Sequence, residues 1–288
     1  MEYQPPPESL PSMNITSFLE DPSEREWKGP FTFIQGADTH RSLLAQKRRA
    51  ELGQRDSFNT GREFVICGDM LDAFPYEVAE NSREFPGAQE LRDKQYQDFV
   101  KVFRELVPEV KLVCVCGNHD IGDKPSKETL KYTRQDYFSF WAGGVKFVVL
   151  NSQYIYVPDA MPEETDKQMK FMDTIADPKA KFIVLFMHIP FFVEEPEEED
   201  FYFNVPKPRR LELLERLYAR GVRYIFCGHY HRNAGGHYKK LELVVTSAIG
   251  APLGDNPSGY RVVNVGEDGI SHEYVTIRDS TDFSSEEK

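Results

Sequence analysis

Cysteine is scarce and scattered. The four in 288 residues, Cys67, Cys114, Cys116 and Cys227, fall inside or at the end of apolar strand-like runs, and none forms a CxxC pair. That usage points to reduced, buried thiols in a cytosolic protein and argues against a disulfide framework. A redox or metal role for Cys114 and Cys116, which would share one strand face, is the lesser alternative. Long apolar runs are missing, as are a signal peptide and a lipidation motif, so the chain reads as soluble and cytoplasmic. Positive charge is also short, with 35 Lys and Arg against 47 Asp and Glu and a formal net charge of −12. Such a surface repels nucleic acid and anionic membrane, so neither is expected as a partner. Free anionic substrates are repelled too, unless bound cations reverse the field locally.

What is present is core material. Hydrophobic residues make up 40% of the chain, and 21 Phe and 14 Tyr supply most of its aromatic content. The length suits one large α/β domain. Residues 1–27, with Pro5, Pro6 and Pro7, read as an extended N-terminal arm, residues 28–279 as the domain, and 280–288 as an acidic tail. Strands are predicted at Phe31–Ala37, Glu63–Cys67, Lys111–Cys116, Lys181–Met187, Arg223–Cys227, Leu243–Thr246, Tyr260–Val265 and His272–Ile277. Tyr137–Trp141 and Val145–Leu150 flank Gly143-Gly144 and predict a hairpin. Helical composition covers Arg41–Gln54, Gln89–Val107, Pro162–Ile175 and Lys207–Arg220, with Leu91, Tyr96, Phe99, Phe103 and Leu106 on the second helix's apolar face. Strand–helix alternation followed by hairpins predicts mixed sheets whose functional turns gather at one edge.

Five of those strand ends finish in chemistry. They carry Asp38 with His40, Asp69, Asn118 with His119, His188, and His229 with His231. A structural role is the ordinary reading of any single histidine. Five of the seven histidines at strand ends beside Gly, Asn or Asp is a different matter. Imidazole, carboxylate and amide oxygen without thiolate suit Mn, Fe or Zn better than Ca or a structural Zn. The spacings Asp38-x-His40 and His229-x-His231 put both members of each pair on one side of an extended segment. The donors exceed what one tetrahedral ion takes; two ions about 3.5–4 Å apart, bridged by one carboxylate, would use them all.

In order, these blocks read D-x-H, G-D-x-x-D, G-N-H-D, a lone H and G-H-x-H. The chain from about Phe31 to Ile277 thereby resembles the metallophosphoesterase (calcineurin-like) superfamily. That resemblance implies a four-layer αββα sandwich with two mixed sheets and a dinuclear site at the sheet edge. It implies two divalent ions (Mn, Fe, Zn or Mg), with Asp38, His40 and His231 on the first, Asn118, His188 and His229 on the second, and Asp69 bridging. A metal-bridging hydroxide would attack phosphorus in line, His119 would protonate the leaving alkoxide, and Asp72 would orient His119. The implied substrate is phosphoserine or phosphothreonine in proteins, a protein kinase of the AKT family among them, and the enzyme is expected to be a monomer.

One departure matters. The family's best-known protein phosphatases follow the second acid of G-D-x-x-D with a phosphate-clamping arginine, and here that residue is Ala73. Arg232, directly after G-H-x-H, and Arg41, directly after His40, are the nearest replacements. The acidic stretch Glu194–Tyr202 is either a solvated loop or a rim element that admits basic or neutral flanks of a phosphopeptide. Two other functions stay open: a phosphodiesterase acting on cyclic nucleotides or other small molecules, and a metal-binding scaffold without turnover. The intact His119 and Asp72 argue against the scaffold.

Overall fold

A computed structural model of the chain describes residues 21–40, 63–75, 88–103, 111–122 and 136–277. The predicted helix Arg41–Gln54, residues 1–20 of the arm and the tail 280–288 lie outside the described residues. In chain order the strands are β1 (Phe31–Gly36), β2 (Glu63–Cys67), β3 (Lys111–Val115), β4 (Phe138–Ala142), β5 (Val145–Val149), β6 (Ile183–Phe186), β7 (Val222–Cys227), β8 (Ala234–Tyr238), β9 (Leu241–Val245), β10 (Gly259–Val265) and β11 (Ile270–Thr276). The helices are α1 (Ala88–Phe103), α2 (Asn118–Ile121), α3 (Gln153–Tyr156), α4 (Pro162–Asp173) and α5 (Lys207–Ala219).

The strands form two mixed sheets, ordered β11-β10-β1-β2-β3 and β4-β5-β6-β7-β9-β8. β1, β2 and β3 are mutually parallel, as are β5, β6, β7 and β9, while β10, β11, β4 and β8 run antiparallel to their neighbours. Parallel pairing puts successive strand ends at the same edge of a sheet, which is where α/β folds hold their chemistry. The loops after β1, β2 and β3 therefore emerge together, as do those after β6 and β7.

Three apolar clusters define the layers. Alternate residues of both sheets meet in the first: Phe33, Val65 and Val113 face Phe147, Phe186 and Phe226. Phe33 lies edge-on to those three rings, at centroid distances of 5.4, 5.8 and 5.9 Å. Burying a ring of this size contributes roughly 1.5–3 kcal/mol, before the edge-to-face preference is counted. The opposite face of the first sheet, Ile34, Ile66 and Leu112, packs with Phe99 of α1. The outer face of the second, Val148, Leu185 and Ile225, packs with Met172 of α4 and Leu213, Leu214 and Leu217 of α5. Helix, sheet, sheet and helices thus make four layers, as the resemblance implied.

Three details differ from the sequence reading. β8 was not predicted, because Gly235 and Gly236 remove the side chains that signal a strand. The inward face of α1 is more polar than predicted: Leu91 is 52% exposed while Arg92, Gln95 and Phe99 are buried. The third is a contact that the reading of residues 21–27 as an extended arm did not give. Glu24 is buried, its carboxylate accepts the Gly143 N–H and its carbonyl accepts that of Gly144, so this stretch is clasped to the β4–β5 turn.

Candidate metal centre

The site is assembled by backbone strain and cross-strand hydrogen bonds. Among the described residues six non-glycine positions have positive φ, and five are Asp38 (51°), His40 (27°), Asp69 (49°), His229 (69°) and His231 (55°). Asp and His tolerate this region better than most residues, yet each such position costs of order 1–3 kcal/mol. This corrects the spacing argument above. Asp38 with His40, and His229 with His231, converge through left-handed turns and not along an extended segment.

The turns are tied to one another. The Asp38 N–H donates to the Gly68 carbonyl and that of His40 to the Asp69 carbonyl, at 3.0 and 3.1 Å. The Asp38 carboxylate accepts the His229 N–H at 2.9 Å, and the Asp69 carboxylate accepts the His119 N–H at 2.9 Å. Each acid therefore holds the backbone of a neighbouring motif while its other lone pairs face the site. Gly117 packs directly against Asp69. Its φ of −106° and ψ of 176° are extended and open to any residue. The constraint is space, since a Cβ there would lie 2.1 Å from Asp69 Oδ1.

Two groups of donors result, Asp38, His40, Asp69 and His231 in one and Asp69, His188 and His229 in the other, each with its ligand atoms within 4.8 Å of one another. Asn118 joins the second, its Oδ1 3.0 Å from His188 Nε2. A third group, His40, Asp72 and His119, shares His40 with the first.

Outer partners settle the ring tautomers. His188 Nδ1 donates to the Cys67 carbonyl at 2.8 Å and His231 Nδ1 to the Ala251 carbonyl at 2.6 Å, which leaves each Nε2 with a lone pair. His40 Nδ1 faces Asp72 Oδ1 at 3.3 Å, so its Nε2 is free as well. These lone pairs point at other acceptors. His40 Nε2 is 3.0 Å from His231 Nε2, and His188 Nε2 is 3.2 Å from Asp69 Oδ2. Acceptors at such range repel unless a proton or a cation lies against them. Divalent ions therefore fit this donor set, with nitrogen and oxygen ligands and no thiolate.

Without an ion, a proton takes that place on His188. Burial opposes the charge on His188, but the Asp69 and Asp38 carboxylates outweigh it and push the ring up to about 9. Burial likewise works against ionised Asp69 and Asp38, and the surrounding imidazoles hold both below the usual carboxylate range. For His229, burial and then the neighbouring His188 drive the ring down to about 3, so it stays neutral.

Asp72 sits differently from the role implied for it. Its carboxylate pairs with His40, and its main-chain carbonyl, not its side chain, accepts from His119 Nδ1 at 2.6 Å. The turn is fixed from α1: the N–H groups of Asp72 and Ala73 both donate to Gln95 Oε1. Arg92 braces the same place, donating to the carbonyls of Ala73, His119 (3.0 Å) and Asp120 (2.5 Å). Asp120 accepts the N–H groups of Met70, Leu71 and Gly117, and burial followed by the Asp69 charge raises its carboxyl to about 6. The sequence reading gave no role to Arg92, Gln95 or Asp120. Asp120 closes the G-N-H-D block, and the i, i+3, i+7 spacing of Arg92, Gln95 and Phe99 was the available signal for the other two.

Arg232 has no ion-pair partner among the described residues, and its guanidinium lies over the Tyr230 ring at 5.0 Å. Arg41 lies outside the described residues. The stretch 194–203 is close to the second donor group, since the Tyr202 carbonyl is 3.3 Å from His229 Nε2.

Two buried donor groups sharing one carboxylate at a parallel-sheet edge define a dinuclear metallohydrolase scaffold. Residues 31–233 match the family model for calcineurin-like phosphoesterase. A mouse protein, serine/threonine-protein phosphatase CPPED1, is 38% identical over 291 residues, covering 92% of this chain and 89% of the relative. The zebrafish protein of that name is 34% identical over 289 residues, covering 90% and 89%. Among solved structures, a dimetal phosphatase from Danio rerio superposes with a TM-score of 0.64 at 13% identity, over 87% of this chain and 99% of that one. The chain belongs to the calcineurin-like phosphoesterase family and is a phosphoesterase enzyme. Among the described residues no helix is long and apolar enough to cross a membrane.

Proposed function

We propose that the chain is a metal-dependent phosphatase that hydrolyses phosphomonoesters, with phosphoserine and phosphothreonine in proteins as its substrate class. The observation that carries this reading is that Asp69 belongs to both donor groups, the arrangement a bridging carboxylate requires. Support for the protein substrate comes from the relatives named serine/threonine-protein phosphatase. A phosphorylated kinase of the AKT family is the target that the resemblance puts first, met by a cytoplasmic monomer.

Asp38, His40 and His231 would hold one ion and Asn118, His188 and His229 the other, with Asp69 between them; manganese heads the metals we would test. When bound, the pair supplies Lewis acidity toward the phosphoryl oxygens and an ionised water at neutral pH. The chain's own residues do the rest. His119 reaches the mouth of the site with its Nδ1 fixed on the Asp72 carbonyl, which leaves Nε2 to face the leaving oxygen. Burial lowers the pKa of that ring, so its cation gives up a proton readily. Arg232, stacked on Tyr230 beside His231, is the cation we assign to the phosphoryl group in place of an arginine at Ala73. Exposed Phe201 and Tyr202, flanked by Glu194, Glu195 and Glu197, form a rim that favours basic over acidic flanks.

The phosphodiesterase reading is favoured by one feature. Ala73 is buried under Gln95 and Arg92, so nothing at that position meets the second charge of a monoester. The test compares kcat/KM of the manganese-loaded enzyme on a phosphoserine peptide and on a cyclic nucleotide. We expect preference for the peptide, and an Arg232→Ala loss on the peptide alone of about 1.5–3 kcal/mol, the scale of a charge-assisted hydrogen bond. Turnover of the cyclic diester with the peptide untouched overturns the phosphatase reading.

A further inference from the structure

One acid of the otherwise exposed acidic stretch departs from a solvated loop. Glu198 turns inward, and its two carboxylate oxygens accept four N–H groups. Val193 N and Asn204 Nδ2 reach Oε1 at 2.7 and 2.8 Å, and Glu194 N and Glu195 N reach Oε2 at 2.8 and 3.1 Å. The fully buried Arg210 grips the same turn through the Glu198 carbonyl and the Asp200 carboxylate, at 2.8 and 3.0 Å. Buried Asn204 then closes the next turn, accepting the Phe201 N–H on Oδ1 at 3.1 Å while its own N–H donates to the Phe201 carbonyl at 3.2 Å.

That second turn ends on a metal ligand. It presents the Tyr202 carbonyl to His229 Nε2 at 3.3 Å and sets the Tyr202 and Phe203 rings against the imidazole, at centroid distances of 5.1 and 5.5 Å. His229 is buried, and as a ligand its ring carries one N–H and one lone pair. A carbonyl can only accept. The N–H therefore sits on Nε2, and the lone pair on Nδ1.

We propose that Glu198 is a positioning residue for the second ion: by folding residues 193–204 it holds the Tyr202 carbonyl on His229 and so reserves His229 Nδ1 for the metal. The inference rests on the dinuclear reading and goes beyond it, because Glu198 belongs to none of the donor groups. Partners that orient a ligand in this way typically change metal affinity by about 10–100-fold when removed. Glu198→Gln keeps the size of the side chain but replaces one acceptor oxygen with a donor, which turns an N–H toward backbone N–H groups.

The test is calorimetric titration of the metal-free full chain with manganese. Wild type should bind two ions. In Glu198→Gln the tighter or weaker event assigned to the second group should weaken by about 10–100-fold, with the other event unchanged. Glu199→Gln, which removes an equal charge from an exposed neighbour, should leave both events as in wild type. Two further variants read the tautomer even if Glu198→Gln does not fold. Asparagine at 229 places its amide oxygen near the position of Nδ1 and glutamine near that of Nε2, so His229→Asn should retain more of the second ion than His229→Gln. The inference is overturned by equal weakening of both events, by equal losses in Glu198→Gln and Glu199→Gln, or by the reverse order of the two His229 variants. A wild-type chain that binds a single ion overturns the dinuclear reading itself, and the inference with it.

Discussion

Gly117→Ala perturbs Asp69, the carboxylate proposed to bridge the two ions, with one methyl group. Backbone strain plays no part, since φ and ψ at 117 are extended. The added Cβ would fall 2.1 Å from Asp69 Oδ1, 2.3 Å from Asp69 N and 2.9 Å from Asp69 Cγ. Carbon and oxygen do not approach within about 3 Å without bonding, so Asp69 must retreat by roughly 1 Å. It has little room, being buried and held by the His119 N–H. Overpacking of this kind costs about 1–3 kcal/mol, offset by about 0.4–1 kcal/mol from the lower entropy of the unfolded alanine chain. The net loss of about 1–2 kcal/mol lowers Tm by roughly 2–8 °C. The metal centre should suffer far more. Ligand distances tolerate about 0.2 Å, and a displacement of 1 Å at a catalytic group costs on the order of 10²-fold in rate. Metal content after dialysis, kcat/KM on an aryl phosphate and Tm of the metal-free chain make up the assay. The expected result is a folded protein with fewer than two ions and activity down by about 10² or more. Two retained ions with activity within threefold of wild type would refute the placement of Asp69 between them.

His119→Ala should keep both ions and lose about 10²–10⁴ in kcat on alkyl phosphates, with a much smaller loss on aryl phosphates, whose leaving groups need little protonation; equal losses on the two substrates would remove His119 from the acid role. Asp120→Asn must turn an amide N–H toward the backbone N–H of Gly117, or toward those of Met70 and Leu71. It should lower the urea midpoint by an amount equivalent to about 1–3 kcal/mol with the slope unchanged, and an unaltered midpoint would show that the turn repacks around the amide.

The strand ends were legible because their information is local. A β-branched run followed by Gly-Asp or Gly-Asn identifies both the strand and its exit, and parallel order then brings Asp38, Asp69 and Asn118 to one edge. The geometry between motifs was not local. Nothing near Asp72 in sequence says that its carbonyl, rather than its carboxylate, meets His119, because that depends on Gln95 and Arg92, about twenty residues away in α1. The apolar period of that helix pointed to Leu91, yet the helix braces two polar turns and so buries Arg92 and Gln95 instead. A run of acids likewise reads as solvated until one of them, Glu198, is seen to point inward at four N–H groups. The left-handed residues were hidden for another reason: Asp and His adopt positive φ without any glycine to announce it.

Those left-handed residues, taken with the facing lone pairs, explain why fold and metal site are hard to separate. Five positions at roughly 1–3 kcal/mol each represent a large cost for a domain whose whole stability is of order 5–15 kcal/mol. Part of that cost is met by the apolar layers on either side and by the backbone ties between turns, such as those from Asp38 to Gly68 and from His40 to Asp69. The repulsion between His40 and His231, and between His188 and Asp69, cannot be met by packing. Only a positive charge relieves it, supplied by protons in the empty site and by divalent ions in the loaded one. An acidic chain of net charge −12 draws such ions toward it. The same carboxylates that receive them, Asp38 and Asp69, also hold the backbone of His229 and His119. A displaced ligand therefore loosens the neighbouring motif as well, which is why a single methyl at Gly117 is expected to reach both ions.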